Sequence, residues 1–108
     1  MIRALYFSTA NPTLTFADVD EMVDHAIKKN ARLSITGALA YNRRNFCQVL
    51  EGQPDIVNKL LSEIEGDSRH SGFKLLDKKE VSERAFPDWS MRLVKDLDFS
   101  IVINAMRS

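Results

Sequence analysis

The sequence of 108 residues has a single cysteine, Cys47, so it cannot form an internal disulfide or, on its own, a cysteine-based zinc site. Its four glycines and three prolines are too few for a fibrous or low-complexity chain. It has no apolar run near the ~20 residues of a membrane-spanning helix, and its start is too short for a signal-peptide core. These absences indicate a cytoplasmic globular protein without a membrane partner.

Neither sign of charge is in excess, because fifteen basic residues balance fifteen acidic ones. A protein that binds nucleic acid by neutralising phosphates usually has a basic excess, so we expect no nucleic-acid partner. The composition is 44% hydrophobic and 28% charged, which is typical of one ordered domain with a single core.

The motifs of several common enzyme and metal sites are also missing. The sequence has no Gly-rich phosphate loop, no HExxH or EF-hand pattern and no convincing Ser–His–Asp order, and we expect no metal site. His25 lies in a predicted helix and is interpreted as a solvated residue. Cys47 is interpreted as a buried structural thiol, since no basic side chain accompanies it on its strand face.

The hydrophobic pattern predicts two helices and about five strands. The predicted strands cover residues 2–7, 37–41, 45–50, 73–78 and 90–94, and a polar loop covers residues 67–72. Thr15 and Asp18 form a variant capping box before an amphipathic helix that we expect to end at residues 28–30. The strand at 45–50 is expected to break at residues 51–54, and Gly66 to close the second helix.

This order, βαββαββ, predicts an α+β, ferredoxin-like fold with a mixed sheet of about five strands and both helices on one face. Because both crossovers contain helices, the strands at 2–7 and 45–50 are expected to pair in parallel at the centre of the sheet. That pairing would place Tyr6 beside Gln48.

Gln48 is an uncharged amide in a strand that should be buried. A buried amide without partners costs ~1–3 kcal/mol, and the hydroxyl of Tyr6 can supply one. Strand alternation puts Gln48 on one face with Phe46 and Leu50. The pair is either a core hydrogen bond or the lining of a polar ligand pocket, and these residues alone leave both interpretations open.

The predicted loop contains a polar trio, Asp67, Arg69 and His70. A local Asp–Arg ion pair at the exit of the second helix is the simpler interpretation. A ligand-binding loop is the alternative.

Five motifs, in order, resemble the BLUF family, the sensors of blue light using FAD. They are LYFS at residues 5–8, NARLSITGAL at 30–39, FCQVLEG at 46–52, DSRH at 67–70 and RAFPDWSM at 84–91. The match runs from about residue 2 to residue 95. The resemblance implies a flavin-binding photosensor domain over residues 1–95, followed by a short tail over residues 96–108 that is a truncated segment or a partial cap helix.

The resemblance also implies a non-covalently bound flavin, FAD or in its place FMN or riboflavin, with its ring between the two helices. Tyr6 matches the photoactive tyrosine and Gln48 the switching glutamine, with Trp89 and Met91 near the latter. The other implied flavin-binding residues are Asn30, Asp67, Arg69 and His70. Lys29 departs from the family pattern, so we expect no specific flavin contact from it.

Apolar residues are expected to sandwich the faces of the ring. The candidates are Val23, Ile27, Ile35 and Leu60, of which Ile35 is included among the cofactor-binding residues. Core packing would give the same pattern, so the sequence does not choose among them.

The function implied by the resemblance is that of a blue-light photoreceptor that turns over no substrate. Tyr6 would give an electron and a proton to the excited ring, and Gln48 would rearrange its hydrogen bonds. The resulting reversible, red-shifted state would pass on through protein contacts. The alternatives are a small ferredoxin-like flavoprotein oxidoreductase, for which no nicotinamide fingerprint is present, and a plain ligand-binding or dimerisation module.

The sheet face away from the helices is predicted to be apolar, since strand alternation places Leu5, Phe7, Cys47 and Val49 there. The tail looks too short to cover this face. We therefore expect a second copy of the chain, in a dimer or higher homo-oligomer, a C-terminal extension or a downstream signalling protein to cover it.

Overall fold

The computed structural model describes residues 1–88, 90–94 and 99–107. Its elements are β1 (Ile2–Ala10), α1 (Phe16–Leu33), β2 (Thr36–Tyr41), β3 (Asn45–Gly52), α2 (Pro54–Glu65), β4 (His70–Glu80), β5 (Arg92–Val94) and α3 (Ser100–Asn104), followed by a 3-10 turn, Ala105–Arg107. The predicted α+β, ferredoxin-like order is confirmed. None of the helices in this described part of the chain is long and apolar enough to cross a membrane.

The five strands form one sheet in the order β4-β1-β3-β2-β5. The pairs β4–β1, β1–β3 and β3–β2 are antiparallel, and β5 pairs with β2 in parallel. The predicted parallel pairing of residues 2–7 with residues 45–50 is therefore wrong. Each helical crossover does join two strands of the same direction, but a third strand lies between them. Tyr6 and Gln48 are nevertheless direct cross-strand partners.

Helix α1 begins at the predicted capping box. The Thr15 hydroxyl accepts a hydrogen bond from the Asp18 backbone N–H at 3.1 Å, and the Asp18 carboxylate accepts one from the Thr15 N–H at 2.9 Å. The helix ends at Leu33 rather than at residues 28–30, because the left-handed residue that stops it is Ser34, with φ of 55°. Asn30 is therefore inside the helix.

Four strands are longer than predicted, β2 by one residue and β1, β3 and β4 by two or more. β3 continues through Glu51 to Gly52. The carboxylate of Glu51 can be buried in the strand because groups of the protein, rather than water, donate hydrogen bonds to it. β4 begins at His70, which pairs with Ala10, and Ser71 pairs with Thr9. Residues 70–72 are therefore part of a strand and not of the predicted loop.

The face of the sheet away from the helices is covered by the chain itself. Cys47 and Val49 have no exposed surface, and Leu5 is 4% exposed. They pack with residues of the segment before β5 and of the C-terminal segment, which are Phe86, Val102, Ala105 and Met106. The expectation that the tail cannot hide this face is wrong, because α3 and the turn after it place three apolar side chains on it.

A buried ion pair fastens that C-terminal segment to the sheet. Arg3 and Glu51 are cross-strand partners, 3% and 0% exposed, and Arg3 Nε donates to Glu51 Oε2 at 3.1 Å. Other N–H groups of Arg3 donate to the carbonyl oxygens of Ala105 at 3.0 Å and Glu83 at 2.9 Å. One guanidinium thus joins β1 and β3 to two distant segments.

The carboxylate of Glu51 is equally well satisfied. It accepts hydrogen bonds from the backbone N–H groups of Ala85 at 2.9 Å and Phe86 at 2.7 Å, and from the Thr36 hydroxyl at 3.0 Å. A buried ion pair adds little net stability over apolar groups, but losing one partner leaves the other charge unpaired in the interior.

We predict that Arg3→Met lowers the free energy of unfolding by roughly 3–5 kcal/mol, because it leaves the Glu51 carboxylate without its cation. Urea denaturation followed by circular dichroism measures this change. The double variant Arg3→Met/Glu51→Leu should recover part of the loss. Glu21→Gln, which removes the charge of an exposed carboxylate on α1, is the control and should have little effect. A loss in Arg3→Met no larger than in this control would contradict the prediction.

Candidate functional site

A cavity of about 390 Å³ lies between α1 and α2, on the helix side of the sheet. This volume is within the range of small-molecule sites, ~300–1,000 Å³. Predicted site residues from the sheet, from α1 and from the segment after α2 all line it. They are Tyr6, Asn30, Gln48, Asp67, Arg69, His70 and Met91.

Gln48 is fixed between two buried side chains in the cavity wall. The phenol of Tyr6 donates a hydrogen bond to Gln48 Oε1 at 2.5 Å, and Gln48 Nε2 donates to the Met91 sulfur at 3.3 Å. Tyr6 is 4% exposed and Gln48 is 6% exposed. The Tyr6–Gln48 pair is therefore both a buried hydrogen bond and part of a cavity lining. The two interpretations that the sequence left open, a core hydrogen bond and a pocket lining, are compatible.

The phenol of Tyr6 stays protonated over the physiological range. Burial raises the pKa of Tyr6 well above its ordinary value, and the nearby Cys47 and Asp67 raise it further, whereas Arg69 lowers it. The ring of Tyr6 also stacks on Phe73, with centroids 4.9 Å apart. Tyr6 is thus held as a neutral hydrogen-bond donor.

Asn30 lies on the α1 side of the cavity and is 2% exposed. Its Nδ2 donates a hydrogen bond to the Ser90 carbonyl oxygen at 3.0 Å. Ser90 directly precedes Met91, so Asn30 and Gln48 contact the segment before β5 at adjacent residues.

Asp67 and Arg69 form the local ion pair that the sequence predicts. Arg69 Nε lies 2.9 and 3.0 Å from the two carboxylate oxygens of Asp67, and a terminal nitrogen of Arg69 makes a further contact. The hydrogen bond from Arg69 holds the pKa of Asp67 below its usual value. The charges at this end of the cavity therefore compensate each other.

His70 bridges α2 and β1. Its Nε2 contacts the Ile64 carbonyl oxygen, and its Nδ1 lies 2.7 Å from the Ser8 hydroxyl. Since a carbonyl can only accept, Nε2 carries hydrogen, and in the neutral ring Nδ1 accepts from Ser8. This arrangement fixes the ring beside Tyr6 and Phe46.

Some predicted residues lie elsewhere. Ile35, which the sequence places among the cofactor-binding residues, is buried beside Gly52 and is not among the residues that line this cavity. It directly precedes β2, at the end of the sheet far from the Tyr41–Phe46 pair, whereas Leu39 is the β2 residue opposite Gln48. Ile27 is 37% exposed and also lies outside the lining, which includes Val23 and Leu60. Trp89 lies outside the described residues.

Several lining residues are not among the predicted site residues. Besides Lys29 and His25, they are Met22, Ala26, Leu39, Phe46, Glu63 and Ile64. Strand alternation and pairing opposite Gln48 identify Leu39 and Phe46 once the antiparallel register is known. Lys29, for which the sequence predicts no flavin contact, also lines the cavity and bonds to Glu63 across it at 2.7 Å. His25 is exposed, as expected, at the cavity rim.

Comparison with known proteins gives a consistent result. The sequence profile of the BLUF family, described as sensors of blue-light using FAD, matches residues 1–92. The chain is 34% identical over 87 residues to the photoactivated adenylate cyclase subunit beta of Euglena longa, a match that covers 80% of this chain and 10% of that protein. The chain thus spans about a tenth of the length of this relative.

Solved structures agree with this match. The dark state of BlrB, a BLUF protein, superposes with a TM-score of 0.83 at 34% identity and covers 87% of this chain and 71% of its own. Klebsiella pneumoniae BlrP1 with FMN and cyclic diGMP superposes with a TM-score of 0.82 at 35% identity, over 87% of this chain and 25% of its own.

We predict that Tyr6 makes the folded protein sensitive to alkali. An unfolded chain releases a tyrosine proton near pH ~10, whereas folded Tyr6 retains it, so stability holds below that pH and falls above it. Urea unfolding of the wild type and Tyr6→Phe, from about pH 8 to about pH 11, measures the difference.

The difference between the two proteins should be constant below about pH 10 and change above it, because Tyr6→Phe loses less stability there. Cys47, whose pKa burial raises to about 11, is present in both proteins and cancels. A difference that stays constant over the whole range would contradict this assignment.

Proposed function

Because the chain belongs to the BLUF family, the sensors of blue light using FAD, we propose that its cavity binds a flavin ring and that Tyr6 and Gln48 convert blue light into a hydrogen-bond change. The observation that carries the proposal is the buried phenol–amide pair in the cavity wall, 2.5 Å from donor to acceptor. The flavin would be FAD, with FMN or riboflavin able to replace it, since all three share the ring.

The chemistry of the lining suits an uncharged ring with polar edges. Two carbonyl groups, a ring N–H and N5 need hydrogen-bond partners, and the amides of Asn30 and Gln48 can supply them without burying a net charge. Val23 and Leu60 provide apolar contact from the two helices. Asp67 compensates Arg69, so the guanidinium of Arg69 does not face the ring as an unpaired cation.

When bound, the flavin supplies absorption of blue light and an excited state that accepts an electron. Tyr6 would give one electron and its phenolic proton to the excited ring, and both would return to Tyr6 once the amide of Gln48 has rearranged. While Tyr6 lacks its proton, Gln48 Oε1 has lost its donor. The amide of Gln48 would then rotate or change tautomer, and its Nε2 would leave the Met91 sulfur.

The rearranged Gln48 would alter the segment that leads into β5. Met91 directly precedes β5, which pairs with the edge of β2, and Trp89 is proposed to take part with it. We propose residues 1–95 as the sensor and residues 96–108 as a tail, of which Val102, Ala105 and Met106 cover the other face of the sheet. Because the chain covers that face itself, the proposed recipient of the signal is an output domain or signalling protein. The sensor would turn over no substrate.

We predict that the protein, reconstituted with FAD, FMN or riboflavin, retains flavin after desalting. Its absorption should shift slightly to the red under blue light and recover in the dark. Tyr6→Phe and Gln48→Leu should each retain flavin and lose the reversible shift, because each removes one partner of the switch. Absorption spectroscopy before, during and after illumination measures both results.

Failure to retain any flavin would overturn the proposed function. A normal photocycle in either variant would place the switch on other residues. If a pyridine nucleotide bleached the flavin in the dark, the oxidoreductase would be the better interpretation.

We predict that Asn30→Ala weakens flavin binding by about two- to twelve-fold, the equivalent of one hydrogen bond of ~0.5–1.5 kcal/mol. Fluorescence titration with riboflavin measures the dissociation constant. Asn58→Ala is the matched control, since the Asn58 amide lies on the exposed side of α2 and accepts from Lys78. Equal affinity in Asn30→Ala and the control would exclude Asn30 from binding.

A further inference from the structure

One exposed ion pair spans the space between the two helices. Lys29 on α1 and Glu63 on α2 approach to 2.7 Å between Nζ and Oε2, and their side chains are 48% and 45% exposed. Both residues also line the cavity. The pair therefore lies where the cavity meets solvent, and it bridges α1 and α2 there.

The residues beside this pair belong to the cavity as well. Asn30 follows Lys29, and Ile64 follows Glu63, and both line it. A second cavity of about 410 Å³ adjoins the first and shares Met22, His25 and Arg69 with it. The first cavity is thus bridged at Lys29 and Glu63, and at Arg69 it adjoins a second cavity that is lined mainly by residues of α1.

The carboxylate of Glu63 is ionised at neutral pH, and the hydrogen bond from Lys29 holds its pKa below the usual value. Exposed ion pairs contribute little to folding and are screened by salt. A pair at this place can still oppose the separation of α1 and α2, and any ligand that leaves between the helices must separate them.

We propose that the Lys29–Glu63 ion pair is a latch over the cavity that slows the exit of bound flavin and that salt releases. The proposal rests on the proposed function in that flavin is the ligand. It assigns Lys29 a role in retaining the ligand, without a direct contact to the ring. The latch predicts a change in the dissociation rate in the dark, and it does not depend on photochemistry.

The test measures the dissociation rate of riboflavin in the dark, by the recovery of its fluorescence after dilution of the loaded protein. Lys29→Met and Glu63→Gln should each raise the rate by about two- to five-fold, as expected for the loss of one exposed ion pair. The double variant should be no faster than either single variant. The reversed pair, Lys29→Glu/Glu63→Lys, should restore a rate close to that of the wild type.

Lys28→Met is the matched control, because it removes the same charge from the neighbouring residue of α1, which does not line the cavity. It should leave the rate unchanged. Salt at about 1 M, where the screening length is ~3 Å, should raise the wild-type rate to that of the single variants and leave theirs unaltered.

Two failures can be told apart. If flavin is bound but the charge variants and salt leave its dissociation rate unchanged, or if Lys28→Met has the same effect as Lys29→Met, the latch is wrong and the proposed function stands. If no flavin is bound, the proposed function is overturned together with the latch.

Discussion

The register between β1 and β3 is the constraint on which the rest of the structure depends. It places Tyr6 opposite Gln48 on the helix side of the sheet and Arg3 opposite Glu51 on the other side. A slip of one residue in β1 would exchange its two faces. The phenol would then leave the cavity, and the guanidinium would enter it. The backbone hydrogen bonds between β1 and β3 thus position both the Tyr6–Gln48 pair of the candidate site and the ion pair that attaches the C-terminal segment.

The two faces use different kinds of polar contact, and the difference suits different tasks. On the back face, Arg3 and Glu51 carry full charges, so each can only donate or only accept, and any rearrangement would leave a buried charge unpaired. On the cavity face, the amide of Gln48 is neutral and holds both a donor and an acceptor. Its two ends can exchange roles without moving a charge. The back face is therefore a fixed frame, and the proposed switch lies on the side where rearrangement costs little.

The sequence predicts local features and the Tyr6–Gln48 contact correctly, but it does not predict the direction of strand pairing or contacts between distant segments. The capping box at Thr15 depends only on two residues that are three positions apart in the sequence. The contact between Tyr6 and Gln48 requires only that their two strands are neighbours, whether parallel or antiparallel. Strand direction was predicted wrongly because a helical crossover implies parallel strands but not that they are adjacent. From the sequence, Glu51 resembles a charged residue that ends a strand. The backbone N–H groups that satisfy its carboxylate belong to residues 85 and 86, which are too distant in the sequence to be recognised as its partners. Ile35 and Leu39 are apolar residues of one motif, and only the pairing of β2 with β3 distinguishes them.

Two contacts of unequal strength hold Ser90 and Met91, the two residues just before β5. Asn30 bonds to the carbonyl of Ser90, a good acceptor, whereas Gln48 bonds to the Met91 sulfur, a weak one. A change at Gln48 would therefore release the weaker contact and leave the stronger one in place. β5 has three residues and lies at the edge of the sheet, paired with β2 alone in the described residues. Under the proposed function, such a strand would shift about its attachment to α1 rather than detach from the molecule.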